Sequence, residues 1–302
     1  MRILGHGVLP YLAALAVLAV ASGGAAADWP TAFDYTIGVS TADDSGIQIS
    51  GLLSGPISPE MTAKVGAWWV TRSDNNRAFM GDVYLDYTKA PLYVAAGRKY
   101  VPFGPAGLLV SPGITGGEVK LTYERVQVQA IAGTLSFTPL TGGTRFTYAG
   151  NRAPADESMS AGRVQAILSE AGSETPVVVG VNMLDILDDN GRSVDASVGL
   201  NKWLTVYGEW ADYADVNARA WGFRISDEKT ATPPNLATIV QIYYRKVPVG
   251  FVPAQVGASG YFENLEGWAG GIYQALPNNY ALGLFADKND AILTLFGHVD
   301  LQ

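Results

Sequence analysis

The sequence of 302 residues contains no cysteine, so a small disulfide-stapled scaffold and a cysteine-borne lipid anchor are both excluded. Histidine is nearly as scarce, with His6 and His298 alone. Charged residues make up 16% of the chain, well below the roughly 25% of ordinary soluble domains, which argues against a plain cytoplasmic enzyme. The charge that is present is acidic on balance, with 20 Lys+Arg against 28 Asp+Glu and a formal net charge of -8. No basic stripe runs along the chain, and nucleic acid is excluded as a partner because phosphate binding needs clustered Lys and Arg. Long apolar runs are missing after residue 28. The longest is Pro176 to Val181, extended by Met183 and Leu184 around Asn182, far short of the about 18 to 20 residues of a spanning helix.

What is abundant points to strands. The chain has 35 Gly, 15 Tyr and 7 Trp, and 48% of it is hydrophobic, a composition of strand and turn formers with ample apolar surface. The N-terminus reads as an export signal. Arg2 supplies a positive start, Val8 to Val20 an apolar stretch, and Ala25-Ala26-Ala27 a small-residue cleavage site. Pro10 shortens the apolar run too far for a retained anchor. The expected organisation is therefore a signal peptide over 1–27 and a single mature domain over 28–302.

Strict period-two alternation recurs through that domain. Val119, Leu121 and Tyr123 share one face against Glu118, Lys120 and Thr122, and Val126, Val128 and Ala130 share one against Gln127 and Gln129. Glu124-Arg125 must then be a very tight turn. At the C-terminus Leu293, Leu295, Gly297, Val299 and Leu301 oppose Thr294, Phe296, His298 and Asp300. Turn chemistry separates the segments at Ala42-Asp43-Asp44-Ser45-Gly46, Asp74-Asn75-Asn76, Asp188-Asp189-Asn190-Gly191, Asn201-Lys202, Pro277-Asn278-Asn279 and Asp287-Lys288-Asn289-Asp290. The stretch around 136 to 161, with Pro139, Gly142, Gly143 and Pro154, reads as one long loop. The result is an all-β antiparallel meander of about 16 strands, within about 14 to 18. So many strands either split into a sandwich or close into a barrel. The faces opposite the apolar stripe carry charge, at Glu118, Lys120, Glu209, Arg219 and Arg245 among others. Many aromatics, including Trp203, Trp210, Tyr244, Trp268 and Tyr280, fall near expected strand ends. A polar lumen with aromatic girdles fits a closed up-and-down transmembrane β-barrel. A soluble exported sandwich that binds carbohydrate or forms a surface structure is the alternative. Val247-Pro248-Val249-Gly250-Phe251-Val252-Pro253 is the place where proline interrupts the pattern as an edge strand would.

The segment Gly97-Arg98-Lys99-Tyr100-Val101-Pro102-Phe103-Gly104-Pro105 resembles the passage in porins of Gram-negative outer membranes, including those related to the phosphate-selective porins, where a strand leaves for a long loop. The resemblance covers these nine residues, and beyond them it is one of pattern and composition. It implies a passive channel in the outer-membrane bilayer for small hydrophilic solutes, with a loop folded into or over the pore. Trimerisation is usual for such porins, and no patch in this sequence identifies it. Independently of the resemblance, residues 99 to 116 are an apolar, Gly/Pro-rich connection with Leu108, Leu109 and Val110 between Pro105 and Pro112. A loop that apolar is satisfied by packing inside the barrel wall, where it sets the narrowest section, or else by sealing a sandwich end or a subunit contact. The expected pore and constriction residues are Arg98, Lys99, Tyr100, Phe103, Lys120 and Arg125, with Arg98 and Lys99 meeting acidic neighbours across the pore. Two features depart from the family. The chain ends Asp300-Leu301-Gln302 rather than on an aromatic residue, and its acidic balance does not suit an anion filter. Phosphate selectivity is not carried over.

Catalysis has little to build on. His298 is the one histidine of the mature chain, with Asp300 on the same strand face, and no Gly-x-Ser-x-Gly motif accompanies it. Asp188-Asp189-Asn190-Gly191 fails the calcium-loop pattern, because Ile186 and Ser197 stand where ligands are required. No glycine loop followed by Lys and Ser or Thr cradles a phosphate. Neither metal nor cofactor is expected, and the chain reads as a channel rather than an enzyme.

Overall fold

The computed structural model describes residues 29–40, 46–72, 75–110, 113–135, 157–170, 172–226, 238–248, 251, 265–286 and 291–301. The export segment, the turn signals at 42–45 and 287–290, the loop reading over 136–156, and the proline-interrupted stretch apart from 247, 248 and 251 lie outside the described residues, while residues 158–161 of that expected loop are strand. Sixteen strands are described. They are β1 (Ala32–Ser40), β2 (Gly46–Ser58), β3 (Met61–Arg72), β4 (Asn75–Lys89), β5 (Leu92–Tyr100), β6 (Gly113–Tyr123), β7 (Val126–Leu135) and β8 (Ser158–Ile167), followed by β9 (Val177–Ile186), β10 (Asp189–Gly199), β11 (Leu204–Tyr213), β12 (Val216–Ser226), β13 (Ile239–Val247), β14 (Leu265–Leu276), β15 (Tyr280–Ala286) and β16 (Ala291–Asp300).

Each strand pairs antiparallel with its sequence neighbours, and β1 closes on β16 in a continuous register from Ala32 opposite Asp300 to Ser40 opposite Ile292. Closure removes both sheet edges, so the sandwich alternative is excluded. The even strand number brings β1 in and takes β16 out at one rim. The Glu124-Arg125 turn and the connection through Asn201-Lys202 both lie on this terminal rim.

The hairpins at the opposite rim include one that the sequence reading misplaces and one that it misses. Ile186 pairs with Asp189 across Leu187-Asp188, and Tyr213 with Val216 across Ala214-Asp215. All four turn residues have positive φ, between 48° and 65°, the paired left-handed geometry that matches the twist of a two-residue hairpin. The turn expected at Asp188-Asp189-Asn190-Gly191 thus comes two residues earlier, and Asn190 and Gly191 already belong to β10.

The sheet is polar inside and apolar outside. On β7 Val128 faces outward and is 44% exposed while its neighbour Gln129 is 5% exposed, and on β16 Leu293 is 47% exposed beside Thr294 at 7%. Val164, Val181, Val194, Val206, Ile242, Leu282 and Val299 continue the exposed apolar belt. A water-soluble domain buries such residues; a barrel in lipid displays them. Trp210, Trp221, Tyr244 and Trp268 gather on the outer face toward the loop-bearing rim, with the Trp221 and Trp268 rings 5.0 Å apart. Arg219, expected on the lumen face, is exposed between inward Ala218 and Ala220 and pairs across the sheet with outward Trp210.

Candidate functional site

The lumen is divided by the segment between β5 and β6. Tyr100 pairs with Gly113 and Lys99 with Ile114, so the connection runs from 101 to 112, shorter at both ends than the expected 99 to 116. It turns back on itself through a hydrogen bond from Phe103 N to Val110 O at 2.8 Å. Val101, Phe103, Leu108, Leu109 and Val110 are all buried, with Leu108 and Leu109 at 0% exposure. Their partners are inward side chains of the barrel wall: Ile114, Ile131, Leu135, Met159, Leu184, Ile186, Tyr213 and Val247, together with Phe251. The apolar loop is therefore folded into the barrel. Gly191 makes room for it, since a Cβ there would stand 2.6 Å from Leu109 Cδ1.

Toward the terminal rim the inner wall changes character. Lys99 Nζ pairs with Glu118 Oε2, donates to Tyr93 Oη at 2.9 Å and lies 4.8 Å from the centre of the Tyr84 ring. Lys120 Nζ is 2.9 Å from Glu118 Oε1, and Gln129 Nε2 donates to that same oxygen at 2.6 Å. Glu118 is buried, so its charge is held by two ammonium groups and one amide. The register carries the ladder onward, placing Gln129 opposite Arg163 and Arg163 opposite Asn182. The Arg163 guanidinium grips both carboxylate oxygens of Asp195, at 2.5 and 2.9 Å, in the bidentate geometry that its fork favours. It also donates to Asn182 Oδ1 at 2.7 Å and to Gln165 Oε1. Asn182 Nδ2 donates to Ser193 Oγ and to Asp195, and Ser193 Oγ donates to Glu209 Oε1 at 3.1 Å. The far oxygen of Glu209 accepts from the backbone of Leu108 at 3.3 Å. The wall's polar ladder thus ends on the loop.

Glycine makes the Arg163 grip possible. Arg163 lies on β8 and Asp195 on β10, and the guanidinium crosses β9 directly over Gly180. A Cβ at Gly180 would stand 2.5 Å from Arg163 Nη2, so any side chain there displaces the arginine. Gly104, at φ +72°, brings the loop backbone against the same carboxylates, and a Cβ there would lie 2.9 Å from Glu209 Oε2.

The expected pore residues separate into two groups. Lys99, Tyr100, Phe103 and Lys120 gather at the loop base, with Phe103, itself in the loop, packed in the apolar cluster and the others lining the adjoining cavity. Arg98 is next to inward Lys99 on a regularly paired strand and occupies the outward face of β5. Arg125 sits exposed in the β6–β7 turn on the terminal rim, five residues beyond Lys120 and thus roughly 16 Å away along an extended strand. The acidic neighbour of Lys99 is Glu118 on the next strand rather than a group across the pore. The sequence reading had placed Glu118 and Glu209 on the polar face but singled out neither, and it missed Arg163, Asn182, Ser193 and Asp195. Period-two alternation within β8 to β10 places all four on one face, but which of them meet depends on register.

No protein-family model matches the sequence, and no curated protein matches it. Solved structures do. The chain is similar to Pseudomonas putida OprB in its high-pH form, with 10% identity and a TM-score of 0.55 over 95% of this chain and 97% of that one. The low-pH form of the same protein matches with 12% identity and a TM-score of 0.52 over 95% and 96%. A variant of the Rhodobacter blastica porin matches with 8% identity and a TM-score of 0.52 over 89% of this chain and 99% of that one. At these identities the likeness is one of fold. The chain has the sixteen-stranded barrel of bacterial porins, nearly end to end.

Proposed function

We propose that the protein is an outer-membrane porin, exported by a signal peptide over 1–27, through which small hydrophilic solutes diffuse passively. The observation that carries this reading is the inverted polarity of the barrel. Val128, Val164, Val181 and Leu293 face outward while Glu118, Arg163, Asp195 and Glu209 are buried on the inner wall. Such a wall is stable only with hydrocarbon outside, and its polar interior favours water. The fold of the solved porins supports the same reading. The loop between β5 and β6 sets the narrowest section, and Lys99, Tyr100, Phe103 and Lys120 frame it, so selection is by size and charge rather than by chemistry.

The test is reconstitution. The full chain, extracted from outer membranes, runs at different positions on a detergent gel before and after heating, and produces stepwise ohmic conductance in planar bilayers. A soluble periplasmic protein with no heat shift and no conductance steps sinks the proposal.

A further inference from the structure

A cavity of about 470 Å³ opens against the base of the loop, and its wall includes Lys120, Gln127, Gln129, Arg163, Gln165 and Ser197. The volume lies in the range of small-molecule sites. Its charges are largely spent. Arg163 has five N–H donors, and its bonds to Asp195, Asn182 and Gln165 number five. Lys99 is taken up by Glu118 and the Tyr93 hydroxyl. Lys120, the more exposed cation, lies on the other oxygen of Glu118. An anion entering here meets no guanidinium edge, and a cation meets carboxylates already engaged.

Apart from the Lys120 ammonium, whose side chain is one third exposed and which meets a single carboxylate oxygen, what remains unspent is neutral. Gln127 and Gln129 each commit one amide N–H, to Thr122 and Glu118, which leaves a second N–H and the carbonyl oxygen on each. Gln165 has its carbonyl taken by Arg163, which leaves its amide nitrogen as a donor. The Ser197 hydroxyl both donates and accepts. The amides lie on paired rungs, with Gln127 opposite Gln165 and Gln129 opposite Arg163. A hydroxyl group both donates and accepts, so a neutral solute with several hydroxyls is what a wall of alternating acceptors and donors holds in preference to an ion.

Resting on the channel reading above, we propose that this shelf on β6 to β10 is a retention site for neutral, hydroxyl-rich solutes of sugar size, which slows them at the loop and favours them over charged solutes. The experiment uses the full chain in planar bilayers with three probes added separately: maltose as the neutral polyol, gluconate as the anion and glucosamine as the cation. Maltose should reduce the open-channel current in a saturable way, while gluconate and glucosamine should block at markedly higher concentration or not at all. Gln127→Ala combined with Gln165→Ala should raise the half-blocking maltose concentration about tenfold, in keeping with two lost hydrogen bonds, in a barrel that still shifts on heating. Open channels with no saturable maltose block, or with stronger block by gluconate, overturn the site and leave the channel standing. Absence of any conductance overturns the channel reading and the site with it. The comparison of probes on the unmodified chain stands without the variants.

Discussion

Removing Leu108 and Leu109 from the loop tests the constriction most directly. Both side chains are fully buried against inward residues of the wall, and a buried Leu→Ala change costs about 2 to 5 kcal/mol. The loss falls on the loop alone. Its ends are fixed by the pairing of Tyr100 with Gly113, and the sixteen-strand ladder loses no backbone bond. A loss of about 3 kcal/mol for Leu109→Ala raises the undocked fraction on the order of 100-fold, at tenfold per 1.4 kcal/mol. The double change L108A/L109A, in adjacent residues that share partners, should exceed the single one without doubling it. Single-channel recording should show a new, larger conductance level or frequent flicker toward it, with the heat shift on a gel unchanged. Val128→Ala on the lipid face is the control and should leave conductance alone. Double variants with the conductance and noise of the unmodified chain would falsify the assignment of this loop as the constriction.

Three further predictions concern the charges of the wall. Lys99→Gln should move the reversal potential in a salt gradient toward cation preference, whereas Arg98→Gln, on the outward face, should leave it in place. Equal shifts from the two would mean that both line the pore. Glu118→Gln strands Lys99 and Lys120 beside a neutral amide; it should move selectivity toward anions and lower the unfolding midpoint in urea, since breaking a buried ion pair costs about 3 to 5 kcal/mol. Gly180→Ala puts a Cβ against the Arg163 guanidinium, and it should reproduce the selectivity and conductance of Arg163→Met. A conductance equal to that of the unmodified chain would show that the arginine has another resting place.

The strands were legible because each alternates over many residues, and β6, β7 and β16 have their faces as the pattern assigns them. Alternation alone reads the same whether the apolar face meets lipid or a second sheet; the charged opposite faces and the aromatics near strand ends pointed to the closed barrel, and the pairing of β1 with β16 bears it out. One hairpin was misplaced and another escaped because Leu187 and Ala214 adopt positive φ without being Gly or Asn; the short register between flanking strands imposes that geometry, which isolated propensity opposes. At the site, sequence proximity misled. Lys120 and Arg125 are near in the chain but lie at different heights in the barrel, while Arg163 and Asp195 are 32 residues apart and in contact. The signal that could have found this pair is the glycine. Gly180 interrupts a run of valines on β9 at the inward position between them, where the wall must let a long side chain pass.

The inner wall also explains why the loop stops where it does. Along β7 the inward residues run Gln127, Gln129, Ile131, Gly133 and Leu135, and along β9 they run Gly180, Asn182, Leu184 and Ile186. Both strands turn from polar to apolar toward the same rim, and the register aligns the change, with Ile131 opposite Ala161 and Ala161 opposite Leu184. A lumen polar throughout would leave Leu108 and Leu109 against buried charge, at a cost set by unmet hydrogen bonds. A lumen apolar throughout would expel water from the path. The docked position of the loop is therefore written twice in the sequence, once in the loop and once in the strands that receive it. Glu209 stands at the boundary, accepting from Ser193 of the polar ladder and from the backbone of Leu108 in the apolar loop. That places the edge of the loop at the last polar rung, so its depth in the barrel is fixed by the level at which the wall's inward residues change from polar to apolar.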